Sequence, residues 1–393
     1  MLFYIIYLQS NRKTSSLSNN VISIEAFNVS FDASRPFRRQ LFIKIGDTLE
    51  KQTLTGLFPE EITRLLPDQK KKYRSMQLFR WIHERCAASF DEMSNLPKSF
   101  REELAESYTV GALENLEVLT SEDKSTDKFL WQLADGNRIE SVVIRDEGRT
   151  TVCISSQVGC KMKCRFCRTG GMGLIRSLST GEIVDQLIKI RVWLRERGDD
   201  ISNIVFMGMG EPLDNVHAVI RAVKIINMET SLAIGVRKVT VSTCGIVPAM
   251  LELGSEFKRL GLAISLNATT DELRSELMPI NRKYPLKTLL DAAREYAENS
   301  KRRITFEYIL LKGKNDTIDD AKALKKILTG IPAKINLIVF NEFDEAPFKS
   351  PSKKTVEAFH KWLIDHHMST FLRKSKGSEI LAACGLLAVK GKR

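Results

Sequence analysis

The chain has 393 residues, with 60 Lys and Arg against 48 Asp and Glu, a net charge of +12, and 43% hydrophobic and 8% aromatic residues. That composition excludes a disordered or fibrous chain. No apolar run approaches the roughly 20 residues of a membrane helix, which excludes a helical membrane-spanning protein. The length suits one large domain of α/β-barrel size with a smaller one attached. The basic excess suits a polyanion such as RNA or DNA, or simple solubility.

Residues 1–52 form an unassigned extension. Its apolar start, MLFYIIYL, lacks the preceding basic residue and the small-residue cleavage site of a signal peptide. From about residue 53 helical text begins with EEITRLL, RSMQLFRWIHERC and PKSFREELAES, and Pro97 suits a first helical turn. Leu78, Phe79, Ile82 and Cys86 fall at helical spacing, so Cys86 reads as core. Lys70, Lys71, Lys72 and Arg74 either meet phosphate or form a solvated face. Residues 53–115 are therefore a helical accessory domain. Residues 116–149 connect it onward through KFLWQLADGNRIESVVI, two apolar runs around Asp135-Gly136, the signature of a hairpin.

Residues 150–393 alternate strand and helix. TTVCISS, ISNIVFMG, RKVTVST, LAISLNA, RITFEYILL and KINLIVFN read as six strands. Ile183, Leu187, Ile190 and Leu194 mark the apolar face of the first intervening helix, with Gly198 as its C-terminal stop. Six strands with crossovers of helical length imply a parallel sheet, and six rather than eight repeats imply an incompletely closed α/β barrel, a partial (βα)6 TIM-like fold. Polar strand endings at GMGEP, STCG, Ser265-Leu266-Asn267 and Asn341 mark the C-terminal rim as the place for chemistry.

The first strand runs into GCKMKCRFCRTGG. Cys160, Cys164 and Cys167 make a C-x3-C-x2-C pattern with no fourth thiolate downstream. Seven cysteines, three of them crowded here, do not suit a secreted disulfide framework and read as a metal or redox site in a reducing compartment. Three thiolates on a four-iron cluster leave one iron open to chelate S-adenosylmethionine. The competing reading is a zinc ion completed by Cys153 or a distant histidine, in a zinc-stabilised RNA-binding protein without catalysis. Against it, none of His83, His217, His360, His366 and His367 lies near in sequence. Glu211, beside glycine in GMGEP, offers a carboxylate to the ammonium of a bound methionine moiety.

The blocks CISSQVGCKMKCRFCRTG, FMGMGEPLDN, VSTCGIVP, SLNATTDELRSELMPINRKYPL, YILLKGKNDT, INLIVFN and SKGSEILAACG resemble the radical SAM superfamily, and within it the RlmN/Cfr group of RNA adenosine methyltransferases, over roughly residues 53–390. The resemblance implies a radical SAM partial barrel with a small N-terminal RNA-binding helical domain, one 4Fe-4S cluster on Cys160, Cys164 and Cys167, and two S-adenosylmethionine molecules per turnover. It implies that Cys384 carries the methyl group as S-methylcysteine and that Cys153 resolves a protein–RNA adduct, leaving a Cys153–Cys384 disulfide. It makes Glu140 the proton acceptor, and Gly210, Glu211, Ser242, Ser265, Leu266, Asn267 and Asn341 the S-adenosylmethionine pocket. The implied product is an adenosine methylated at C2 in 23S rRNA and in tRNA beside the anticodon; Cfr-like C8 methylation is the alternative. A cytoplasmic monomer served by a one-electron reductant such as flavodoxin completes the expectation. Arg168, where the group usually has a small residue, and Leu386, where a glutamine commonly follows AACG, depart from the pattern. Cys244 has no counterpart and reads as structural.

Overall fold

The computed structural model describes residues 51–66, 72–344, 346–373 and 375–389. Residues 1–50 of the expected extension, and Lys70 and Lys71 of the basic run, lie outside them. Gln52–Arg393 cluster as one unit. It opens with β1 (Gln52–Thr53), α1 (Pro59–Leu65), α2 (Lys72–His83), α3 (Lys98–Ser107) and β2 (Tyr108–Thr109), which pairs with β1. The helix α3 starts directly after Pro97. Leu78, Phe79, Ile82 and Cys86 are all buried, in the same apolar core as the main sheet; burial pushes the Cys86 thiol up, in keeping with a structural role.

Four strands then run antiparallel: β3 (Leu113–Thr120), β4 (Thr126–Leu133), β5 (Arg138–Asp146) and β6 (Arg149–Cys153). Gly136, at a φ of +78°, turns β4 into β5 as the Asp-Gly signal expects. A small hairpin, β7 (Gln157–Cys160) and β8 (Gly173–Ser177), encloses the short helix α4 (Arg168–Met172). The repeats continue as α5 (Thr180–Arg195), β9 (Asn203–Phe206), α6 (Val216–Asn227), β10 (Val239–Thr243), α7 (Val247–Glu256), β11 (Gly261–Ser265), α8 (Asp271–Leu277), α9 (Leu286–Ser300), β12 (Ile304–Leu310), α10 (Ile318–Leu328), β13 (Ala333–Val339), α11 (Lys353–Asp365) and β14 (Thr370–Arg373).

The strands assemble into one ten-stranded sheet in the order β14-β13-β12-β11-β10-β9-β6-β5-β4-β3, parallel from β6 to β14. All six expected barrel strands are present as neighbours. Two features go beyond expectation. The four-residue β14, too short to show a period, adds a seventh parallel strand. The connecting hairpin continues the sheet, because β5 pairs directly with β6. β11 and β12 are buried on both faces, as parallel strands covered by helices must be: the first four residues of β11 and six of the seven of β12 are buried.

Helix ends fix the loops. Ser179 caps α5 by accepting from the Glu182 amide, while the Glu182 carboxylate accepts from the Ser179 amide. At the other end Gly198, at φ +73°, donates to the Arg195 carbonyl and Asp199 donates to that of Leu194, a Schellman closure. The C-terminal ends of the parallel strands thereby converge on one rim.

Candidate active site

The cysteine loop is shaped by its glycines. Gly159 has a φ of +76°, and a Cβ there would collide with the Gly173 carbonyl oxygen. A Cβ on Gly170 would sit 3.0 Å from the Cys164 carbonyl oxygen. The loop is closed by Cys167 N–H donating to the Cys164 carbonyl (3.1 Å) and anchored by Arg165 N–H on the Leu277 carbonyl (3.0 Å). Cys160, Cys164 and Cys167 line a cavity of about 840 Å³, including space open to solvent, together with Glu211, Ser242 and Glu307.

Burial pushes all three thiols up, Cys160 to about 12; Cys167 raises Cys160 and Cys164 further, and Cys384 raises Cys167. Such a trio is unfavourable as bare anions and becomes stable when cationic metal centres accept them. Among the described residues no group of three or more His, Cys, Asp and Glu side chains is arranged to hold a metal ion. Spaced thiols around a roomy cavity suit a polynuclear cluster, where each thiolate takes a different iron.

Of the expected cofactor residues, Gly210, Glu211, Ser242 and Ser265 line this cavity. Glu211 is buried; its carboxylate accepts from the amides of Leu213 (3.0 Å) and Cys244 (2.8 Å), joining the ends of β9 and β10. Burial raises its pKa, opposed by those hydrogen bonds. Leu266 points into the core instead. Asn267, in the left-handed region at φ +59°, uses its side-chain oxygen to accept from the Ile309 amide (2.9 Å) and bolts β11 to β12 from outside the cavity lining.

A second cavity, about 1470 Å³ with its solvent-open part, is lined by Cys153, Asn341, Phe371, Arg373 and Cys384. Cys384 lines both cavities. Cys153 and Cys384, 231 positions apart, are free thiols. Cys153 is pushed up to about 12, first by burial and then by the neighbouring Cys384, against the Arg373 guanidinium.

The segment carrying Cys384 is tied down along its length. Asn341 Nδ2 donates to the Cys384 carbonyl (3.1 Å). Arg168 N–H donates to Gly385 (2.9 Å), the Arg168 guanidinium to the Leu386 carbonyl (3.1 Å), and the Thr169 hydroxyl to that of Leu387 (2.5 Å). The two departures from the family pattern thus touch each other. Glu140 lines neither cavity. It is buried against Lys128 (3.2 Å) and accepts from the Ala388 amide (3.0 Å), so it too holds this segment.

Three site residues escaped sequence reading. Cys244 lines the cluster cavity. Arg274 is wholly buried and donates to the carbonyls of Cys244 (2.7 Å), Ser265 (3.1 Å) and Leu266 (3.1 Å) and to Asn281 Oδ1 (3.0 Å), fixing the cavity wall. In DELRSEL it looks like a surface helix residue. Glu307 lines the cavity from β12, and a charge inside the apolar run ITFEYILL was the available signal.

A family model of the Radical SAM superfamily matches residues 154–324, and one of the ribosomal RNA large subunit methyltransferase N-terminal domain matches residues 53–110. The fold aligns with the crystal structure of a radical SAM methyltransferase from Sphaerobacter thermophilus at a TM-score of 0.83 and 40% identity, covering 86% of this chain and 99% of that one. The chain is a radical SAM enzyme, a class that carries a 4Fe-4S cluster and S-adenosylmethionine. Among curated relatives, the dual-specificity RNA methyltransferase RlmN of Pelobacter propionicus is 49% identical over 344 residues, 87% of this chain and 97% of the relative. That of Geobacter sulfurreducens is 48% identical over 340 residues, 86% and 92%. This chain belongs to the RlmN family of radical SAM methyltransferases.

Proposed function

We propose that this enzyme methylates C2 of an adenosine in 23S rRNA and, as a second substrate, in tRNA beside the anticodon. The supporting observation is that Cys384 faces the cofactor cavity on one side and shares the second cavity with Cys153 on the other. Cys160, Cys164 and Cys167 would hold the cluster, with Gly210, Glu211, Ser242 and Ser265 around S-adenosylmethionine; Leu266, Asn267 and Asn341 support that wall from behind or from the second cavity. When bound, the cluster and S-adenosylmethionine supply a methyl group and a carbon-centred radical. An electron-poor ring carbon such as C2 offers no nucleophile to a sulfonium, so radical addition is the route that fits.

Cys384 holds the methyl group as a thioether. The Cys153 thiolate attacks that sulfur once the carbon is joined to adenine; the S–C bond breaks, the carbon keeps the bonding pair and takes up a proton to become the methyl group, and a Cys153–Cys384 disulfide forms. Glu140 takes the ring proton, in which case it must exchange its grip on the Ala388 amide for contact with the base. Residues 53–115 hold folded RNA by phosphate and shape contacts, 116–149 connect them to the barrel of 150–393, and the target base unstacks to enter. The name dual-specificity RNA methyltransferase borne by the relatives supports two RNA classes. A reducing cytoplasm, where a one-electron reductant serves a monomeric enzyme, suits the free cysteines.

Nucleoside mass spectrometry of RNA treated with anaerobically purified enzyme tests this reading. The expected product is 2-methyladenosine, and Cys153→Ala traps a protein–RNA adduct. An 8-methyladenosine product, or no adduct, overturns the corresponding part.

A further inference from the structure

Glu307 is 6% exposed and stands on β12 inside the cofactor cavity. One carboxylate oxygen, Oε2, accepts from the Ser242 hydroxyl (3.1 Å). The other, Oε1, is buried and has no hydrogen-bond partner among the described residues. The Arg373 guanidinium offsets part of the charge from a distance, but a buried acceptor that no donor reaches still costs free energy. Its neighbours extend the polar feature. Ser265 on β11 is the register partner of Glu307 on β12, and Ser242 lies on the adjoining β10, so three consecutive strands present hydroxyl, hydroxyl and carboxylate to the cavity.

We propose that Glu307 is the residue that holds the ribose of S-adenosylmethionine, accepting from a sugar hydroxyl through Oε1 while Ser242 and Ser265 complete the cradle. This rests on the cofactor reading of the cavity. A carboxylate on a ribose hydroxyl is a recurrent way of recognising a nucleoside. The other carboxylate of the cavity, Glu211, already accepts two backbone amides. It follows β9, the neighbour of the strand β6 that precedes the cysteine loop, which suits the methionine end of the cofactor. Adenine offers only its amino group as a donor, whereas the ribose offers two hydroxyls that serine and carboxylate can share.

The test is calorimetric binding of S-adenosylhomocysteine and its 2′-deoxy and 3′-deoxy analogues to anaerobically purified, cluster-containing protein. For the wild type, one deoxy analogue is expected to bind at least about tenfold more weakly than the ribose compound. Glu307→Gln, checked for iron and sulfide content, is expected to weaken the ribose compound and to shrink the deoxy discrimination below about threefold. A wild type indifferent to both hydroxyls overturns the proposal without any variant, as does a Glu307→Gln protein that keeps the full discrimination. Failure of the wild type to bind S-adenosylhomocysteine at all would instead overturn the cofactor reading of this cavity, and RNA methylation is scored separately from either.

Discussion

Replacing Arg274 by methionine tests how the cofactor wall is built. The guanidinium is wholly buried and serves four acceptors: the carbonyls of Cys244, Ser265 and Leu266, and Asn281 Oδ1. Burial lowers its pKa, so the charge is held at a cost that these acceptors offset. Methionine fills similar volume but donates nothing, and the acceptors stay in place. At about 1 kcal/mol for each acceptor left unmatched, Arg274→Met is expected to cost about 4 kcal/mol. That is a large part of a typical total of roughly 5–15 kcal/mol. With an unfolding entropy of about 2.1 cal/mol/K per residue, spread over the Gln52–Arg393 unit, the melting temperature should fall by about 6 °C. Arg274→Lys, which keeps the charge but not the planar fork, should fall roughly half as far. Circular dichroism melts read both values. A methionine variant that melts within about 1 °C of the wild type would show that this guanidinium does not hold the strand ends together.

The Lys128–Glu140 pair is buried on both sides; Lys128→Met leaves the carboxylate without its cation and should cost about 3 kcal/mol by urea unfolding. Glu140→Gln, which can still accept from Ala388, should cost less while stopping RNA methylation after Cys384 has gained its methyl group, as read by intact-protein mass spectrometry. Cys153 has its thiol raised from 9.0 to about 12. Its thiolate fraction at pH 8 is therefore about a thousandfold below that of an ordinary thiol, and iodoacetamide labelling should be slower by about that factor and rise tenfold per pH unit; labelling at the rate of a free peptide thiol at pH 8 would contradict its environment. Arg168→Ala removes the guanidinium from the Leu386 carbonyl and should raise amide hydrogen exchange across Gly385–Leu387 about tenfold, with iron content unchanged. Gly159→Ala forces a side chain against the Gly173 carbonyl at a positive φ; iron analysis of the purified variant should show the cluster lost.

Much of the site was legible because its parts are local. Cys160, Cys164 and Cys167 lie within one short loop, so their spacing reports their convergence, and GMGEP sits where a parallel strand must end. Gly198 marks a helix stop because a Schellman closure needs a residue tolerant of positive φ. The six barrel strands announced themselves through buried apolar runs. The four-residue β14 carried too little pattern, and the hairpin at Asp135-Gly136 did not disclose that it would extend the barrel sheet.

The sequence by itself therefore determined the cluster loop, the strand–helix alternation and the chemistry those residue types permit, since each is encoded in neighbours a few positions apart. Tertiary structure alone decided which strand-end side chains face the cavity. Ser265 lines it and Leu266 turns to the core, a choice set by strand register. It also decided that Arg168 grips the segment behind Cys384 and that Arg274 and Glu307 are interior charges. These depend on contacts between distant parts of the chain, where the sheet order and the burial of each group, rather than local spacing, fix what a side chain touches.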